Sequence, residues 1–265
     1  MRLRGSWAPS KYVLRQQRLA PTRDNRELSA SSSLMAQLIC DFYNEIVPRF
    51  VTGDLLDLGC GKQPLFELYR QFANTITATD WPTTTHSNVH LDFFTDLNHR
   101  LPLADNCMDT VILSDVLEHI ADPSLVLAEV WRILRPGGHV LVNTPFLYQV
   151  HEAPHDYYRY TQFGMSHLVS AAGFDIQELR TLGGALDAIA DQCGKLIHRF
   201  LGASLARVIQ VMTYRVGNFG LGAQLRMRTT ARMPLGIALV ARKSLLDGRP
   251  GSRTNLLNDS IDVSS

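Results

Sequence analysis

Residues able to hold a charged nucleoside stand together early in the chain. Asp57-Leu58-Gly59-Cys60-Gly61-Lys62 separates a short apolar run from a helical pattern. Glycines at 59 and 61 permit a tight turn and close approach of a ligand to the backbone. Nineteen residues after Gly61, Asp80 ends the next apolar run. A carboxylate there can accept hydrogen bonds from both hydroxyls of a ribose. Strand, glycine loop, helix and spaced acid point together to a nucleoside site, which a lone Gly-x-Gly would not.

The charges narrow the ligand. A dinucleotide loop wants a third glycine three residues after the second, and here that position is Pro64. Asp57, just before the glycines, suits a cation and suits a diphosphate poorly. S-adenosylmethionine, with its sulfonium and ammonium groups, fits better than a nicotinamide dinucleotide.

A second concentration of titratable and aromatic side chains follows Asn143-Thr144-Pro145-Phe146. It reads His151-Glu152-Ala153-Pro154-His155-Asp156-Tyr157-Tyr158-Arg159-Tyr160-Thr161. Such a loop at a strand's carboxyl end is where an open α/β sheet presents groups to a ligand. It is expected to form an acceptor pocket, with His155 or His151 as general base and Tyr158 and Arg159 as positioning groups. The competing reading is a structural loop whose aromatics cover the sheet edge. His119 either faces the acceptor or bonds locally. His151 to His155 also satisfies the HExxH zinc pattern, which needs both histidines on one face of a regular helix. Pro154 would break that helix, so no metal is expected.

These groups need elements to carry them. Strands are predicted at Asp54–Leu58, Ile76–Asp80, Val89–Asp92, Thr110–Ser114, Val140–Thr144, Ile176–Thr181 and Leu235–Ala241. Helices are predicted from Leu34 to about Pro48, Pro64–Phe72, Pro123–Leu134 and Thr161–Ala172, with Arg135-Pro136-Gly137-Gly138 as a stop and turn. The alternation gives an α/β class: a doubly wound, seven-stranded, mostly parallel Rossmann-like sheet with helices on both faces. Residues 1–30 read as a basic extension, 31–243 as one domain with an insertion at about 185–233, and 244–265 as a disordered tail.

In order along the chain, several segments resemble class I S-adenosylmethionine-dependent methyltransferases of the type 11 kind. They are Leu55 to Gly61; Asp96-Leu97 with Leu101-Pro102-Leu103 and Asp105-Asn106; Ser114 to Ile120; and Leu134 to Gly138. The resemblance spans about Leu55 to Phe174. It implies that Asp57, Gly59 and Gly61 line the methionine end of S-adenosyl-L-methionine and that Asp80 holds the ribose. By the same resemblance Asp96 and Leu97 meet the adenine and Ser114 lies near the cofactor. The implied activity is methyl transfer to an O or N atom, with a sugar or lipid-linked glycan favoured as acceptor. Alternatives are a non-catalytic interaction protein of the same fold and an NAD-dependent oxidoreductase.

The net charge of +1 conceals an uneven distribution. Residues 1–23 carry six Lys/Arg and no acid, 24–191 carry 22 acidic and 9 basic residues, and 192–246 carry nine basic residues and no acid. The insertion's apolar runs are too short to span a bilayer. Arg199, Arg207 and Arg215 drift around a straight helix rather than sharing a face. Peripheral contact of 192–246 with anionic lipid is one expectation, against a lid, a subunit interface or a solvated basic face. Nucleic acid is disfavoured. Four scattered cysteines without a CxxC pair, and no apolar leader, suggest a cytoplasmic setting.

Overall fold

Leu55, Leu56 and Leu58, like Val111, Ile112 and Leu113, are buried in unbroken runs, as strands covered on both faces must be. They form the middle of a seven-stranded sheet in the computed structural model, which describes residues 7–82 and 90–245. The sheet strands are β3 (Asp54–Leu58), β4 (Thr75–Asp80), β5 (Phe93–Phe94), β6 (Met108–Ser114), β7 (Leu134–Pro145), β8 (Phe174–Leu182) and β9 (Gly236–Lys243). Their order is β5-β4-β3-β6-β7-β9-β8, and only β9 runs antiparallel to its neighbours.

Alternation along the strands builds two cores. Leu55, Ile112 and Leu141 face α1 (Ser33–Phe50), meeting Leu34, Phe42 and Ile46. Leu56, Val111, Leu113 and Val142 face α3 (Pro123–Ile133), meeting Val126, Leu127 and Val130. A period of two on the strands thus demands helices on both sides. The chain leaves β3 to β4 on one side and returns to β6 on the other. Ligands of open α/β sheets sit at such a switch point, beyond the strands' carboxyl ends.

Several sequence expectations are corrected. The helix expected over Pro64–Phe72 is only α2 (Phe66–Tyr69). The strand expected at Val89–Asp92 is the two-residue β5 at Phe93–Phe94, and Val89 lies outside the described residues. Arg135 to Gly138 is not a turn but part of β7, with Gly137 at φ +85° beside a register shift opposite Met108 and Thr110. Pro48 stays inside α1, in its last turn.

The N-terminal extension is folded where described. Tyr12–Arg15 and Arg18–Pro21 form a hairpin, β1–β2, and Tyr12, Leu19 and Leu28 join the α1 core. The Asn44 side chain accepts from Leu19 N (2.7 Å) and donates to Leu19 O (2.9 Å), clamping the hairpin to α1. A 3-10 turn at Ala30–Ser32 leads into that helix.

After α4 (Gln162–Ala171) and β8, the insertion folds as α5 (Ala185–Leu201), α6 (Ala203–Val216) and α7 (Gly220–Thr229). Gly202, at φ +98°, separates α5 from α6. Arg199 therefore belongs to a different helix from Arg207 and Arg215, and these two line one shallow groove with Arg23. Arg226 of α7 forks onto the buried Asp187 carboxylate at 2.6 and 2.8 Å, fixing the insertion's start to its end. Of the expected tail, residues 246–265 lie outside the described residues.

Candidate active site

Asp57 sits at 3% exposure one residue before the end of β3, and its carboxylate accepts from Tyr69 Oη at 2.6 Å. Burial pushes the carboxyl up to about 7, against the pull of the Tyr69 hydroxyl, because the pocket withholds water from the anion. Gly59 follows at φ +72°, and a Cβ there would stand 2.9 Å from Val116 Cγ2. Its N–H and that of Cys60 donate to Thr79 O at 2.9 and 3.1 Å, so the loop is stitched to β4.

Asp80 ends β4, and its carboxylate accepts from Trp81 N at 2.8 Å. Asp96 caps its own turn, accepting from Asn98 N (2.9 Å) with His99 Nδ1 3.0 Å from its other oxygen. Those backbone and side-chain bonds hold Asp96 below the usual carboxylate range. A cavity of about 700 Å³ is lined by Asp57, Gly59, Gly61, Asp80, Asp96, Leu97 and Ser114. The residues named from the sequence as cofactor contacts therefore line one cavity.

The same cavity is also lined by Tyr148, His119, His151, Glu152 and His155. The His155 ring lies edge-on to Trp81, centroids 4.8 Å apart, and its Nδ1 is 3.1 Å from Tyr157 Oη. Two expected acceptor contacts are corrected. Tyr158 does not line the cavity; its exposed ring donates the hydroxyl to Ala121 O at 2.8 Å. Arg159 grips Asp156 through two bonds, 2.5 and 2.7 Å, and reaches Gln149 O at 3.1 Å, so it braces the loop instead. The loop is irregular, not helical, so His151 and His155 do not make the HExxH arrangement.

Other contributors were not legible in sequence. Lys11 pairs with Asp115 at 2.8 Å, and Asp115 also accepts from Asn143 Nδ2 at 2.6 Å. Asp115 holds φ +54°, a left-handed geometry that these partners maintain. Lys62 bonds both oxygens of Glu27 at 2.9 Å, tying the glycine loop to the N-terminal segment. Glu118, in a 3-10 turn at Leu117–His119, is fully buried beneath His119 and His151. Burial, then the nearby Asp115 carboxylate, pushes Glu118 well above the usual carboxylate range. Only the adjacent Glu118-His119 pair, in the turn that follows β6, hinted at this cluster.

Comparisons with known proteins bear on the domain and its cofactor. Residues 56–142 match the family model described as a methyltransferase domain. A Mycolicibacterium smegmatis protein named "Probable S-adenosylmethionine-dependent methyltransferase" is 32% identical over 108 residues, 39% of this chain and 42% of that protein. A ubiquinone biosynthesis O-methyltransferase of Pseudomonas entomophila is 31% identical over 100 residues, 34% of this chain and 43% of its own length. The matches thus span about two fifths of these relatives. The crystal structure of an S-adenosylmethionine-dependent methyltransferase from Mesorhizobium loti shares the fold, with TM-score 0.51 and 14% identity over 79% of this chain and 100% of that one. The chain carries a class I S-adenosylmethionine-dependent methyltransferase domain, with S-adenosyl-L-methionine as the cofactor of that domain.

Proposed function

We propose that the chain moves the methyl group of S-adenosylmethionine to an O or N atom of an acceptor seated beside His119, His151 and His155, a sugar or lipid-linked glycan being the acceptor class. The observation that carries this reading is one cavity lined by both the glycine–carboxylate cradle and the histidine loop. Methyl transfer is an in-line displacement, so most of the protein's work is alignment of nucleophile, methyl and sulfur. His155 is the better placed base, because the Nε2 of His151 is turned toward Glu118, 3.9 Å away. Calorimetry with S-adenosylmethionine, S-adenosylhomocysteine and NAD tests the cofactor; tight NAD binding alone would support an oxidoreductase. Cofactor binding without transfer to any fractionated metabolite or glycan would support an interaction module.

A specific surface favours a lipid-linked acceptor. Phe200, Leu201, Leu205, Val208 and Met212 are exposed large apolar residues beside Arg199, Arg207 and Arg215. Arg207 donates to Asn25 Oδ1, and the neighbouring residues Arg26 to Ser29 line the cavity. Among the described residues no helix is long and apolar enough to cross a membrane. An apolar face edged with arginine fits the surface of an anionic, cytoplasm-facing leaflet. Co-sedimentation with phosphatidylserine vesicles at low salt tests it, and an unbound chain there ends the idea.

A further inference from the structure

Beneath the acceptor wall, three side chains point electron pairs at one another. His119 Nδ1 lies 2.8 Å from the carbonyl oxygen of His155, and a carbonyl only accepts. In the neutral ring Nδ1 therefore carries the proton and Nε2 bears a lone pair. His151 Nδ1 faces two acceptors, Gln149 O at 3.3 Å and an Asp156 oxygen at 3.4 Å, with the same consequence. Both Nε2 atoms turn to one oxygen of Glu118, 3.8 Å from His119 and 3.9 Å from His151. Glu118 has no exposed surface, and neither carboxylate oxygen has a hydrogen-bond partner.

Lone pairs converging on a buried, unbonded carboxylate repel one another unless a proton or a metal cation lies between them. The three ligand atoms lie within 4.8 Å of one another. Ligands about 2.1 Å from a common ion are roughly 3.4 Å apart at a tetrahedral angle, so the three atoms close on an ion by drawing in by about 0.4 to 1.4 Å. Two imidazoles and a carboxylate are the donor set of open transition-metal sites, whereas magnesium and calcium favour all-oxygen shells. The second contacts of each ring, His155 O for His119 and Gln149 O for His151 with the Asp156 carboxylate beside it, are of the kind that orient metal-bound histidines.

We propose that Glu118, His119 and His151 bind one divalent transition-metal cation whose open coordination positions face the acceptor side of the cavity. This replaces the expectation of a metal-free site. Glu118 lies behind the ion, while His119 and His151 line the cavity. Glu152 Oε2, 3.9 Å from His119 Nε2, stands nearby as a further oxygen.

The ion's use rests on the methyl-transfer reading, and it narrows the acceptor to a hydroxyl. Coordination lowers the pKa of a bound hydroxyl, so it gives up its proton more readily. Its proton passes to His155 or solvent, and the oxygen bonds the methyl carbon as the carbon–sulfur bond breaks. The electron pair stays on sulfur, leaving a neutral thioether.

The test uses the full chain stripped with EDTA, titrated with Co2+ by optical absorption and with Mn2+ by electron paramagnetic resonance. One equivalent is expected to bind, with affinity falling at least about 100-fold in Glu118→Gln and in His151→Ala. Circular dichroism and melting temperature check that each variant is folded. A wild-type chain that takes up neither ion, or folded variants that bind like wild type, overturns the site. Metal binding without S-adenosylhomocysteine binding would sink the methyl-transfer reading and leave the metal site standing; the reverse result does the opposite. Undiminished transfer by the stripped chain overturns the ion's catalytic use.

Discussion

Lys11 Nζ lies 2.8 Å from the Asp115 carboxylate across 104 residues of sequence, joining the N-terminal segment to the tip of β6. The cavity is therefore closed on one side by residues that precede the matched domain, including Ser10, Lys11 and Tyr12. Lys11→Met leaves Asp115 with Asn143 alone. It is expected to cost about 1.5–3 kcal/mol, as for a hydrogen bond to a charged group. Urea denaturation of the variant measures this; a midpoint equal to wild type would show the tie to be idle.

Cofactor affinity should depend on pH through Asp57. Its carboxyl is raised to about 7 by burial, so below that pH it is mostly neutral in the ligand-free chain. A cationic ligand favours the ionised form, so binding releases a proton. The dissociation constant for S-adenosylmethionine should rise by up to about tenfold per pH unit below that value. The same raised carboxyl opposes folding as pH climbs from 3.8 to about 7, because the unfolded chain ionises first. Asp57→Asn should weaken binding and flatten the pH profile. Calorimetry at a series of pH values decides, and an equally steep profile in the variant would acquit Asp57.

Gly59→Ala forces a Cβ into a left-handed turn and to within 2.9 Å of Val116 Cγ2. The backbone term alone is about 1–2 kcal/mol, and the loop should shift away from the cofactor. Adding Val116→Ala should recover the steric part but not the backbone part. Melting curves and S-adenosylhomocysteine titration of both variants separate the two.

His155→Ala is expected to lower turnover by about 100-fold, as for loss of a general base. Cofactor affinity should stay within about twofold, because His155 stands on the acceptor wall. Steady-state kinetics with the acceptor identified by labelled-methyl transfer would check this; unchanged kcat would remove the ring from proton transfer.

Much of the site was readable from local order. Asp57, Gly59 and Gly61 follow a buried strand directly, and Asp80 ends the next one, so parallel pairing brings their tips together. The strand at Phe93–Phe94 was misplaced because two residues give no period to read. Tyr158 and Arg159 looked like acceptor contacts because residue type does not reveal direction. In the folded loop their polar ends serve Ala121 and Asp156.

By itself the order of apolar runs, glycines and acids determined the sheet, its two covered faces and the strand tips that carry the glycine loop and Asp80. These rest on contacts between neighbouring elements and on side-chain periods that a single chain displays. Only the tertiary structure decided that Lys11 reaches Asp115 and that Glu118, His119 and His151 aim at one point. Those relations join residues from separate segments, and no local period encodes the directions in which their side chains meet.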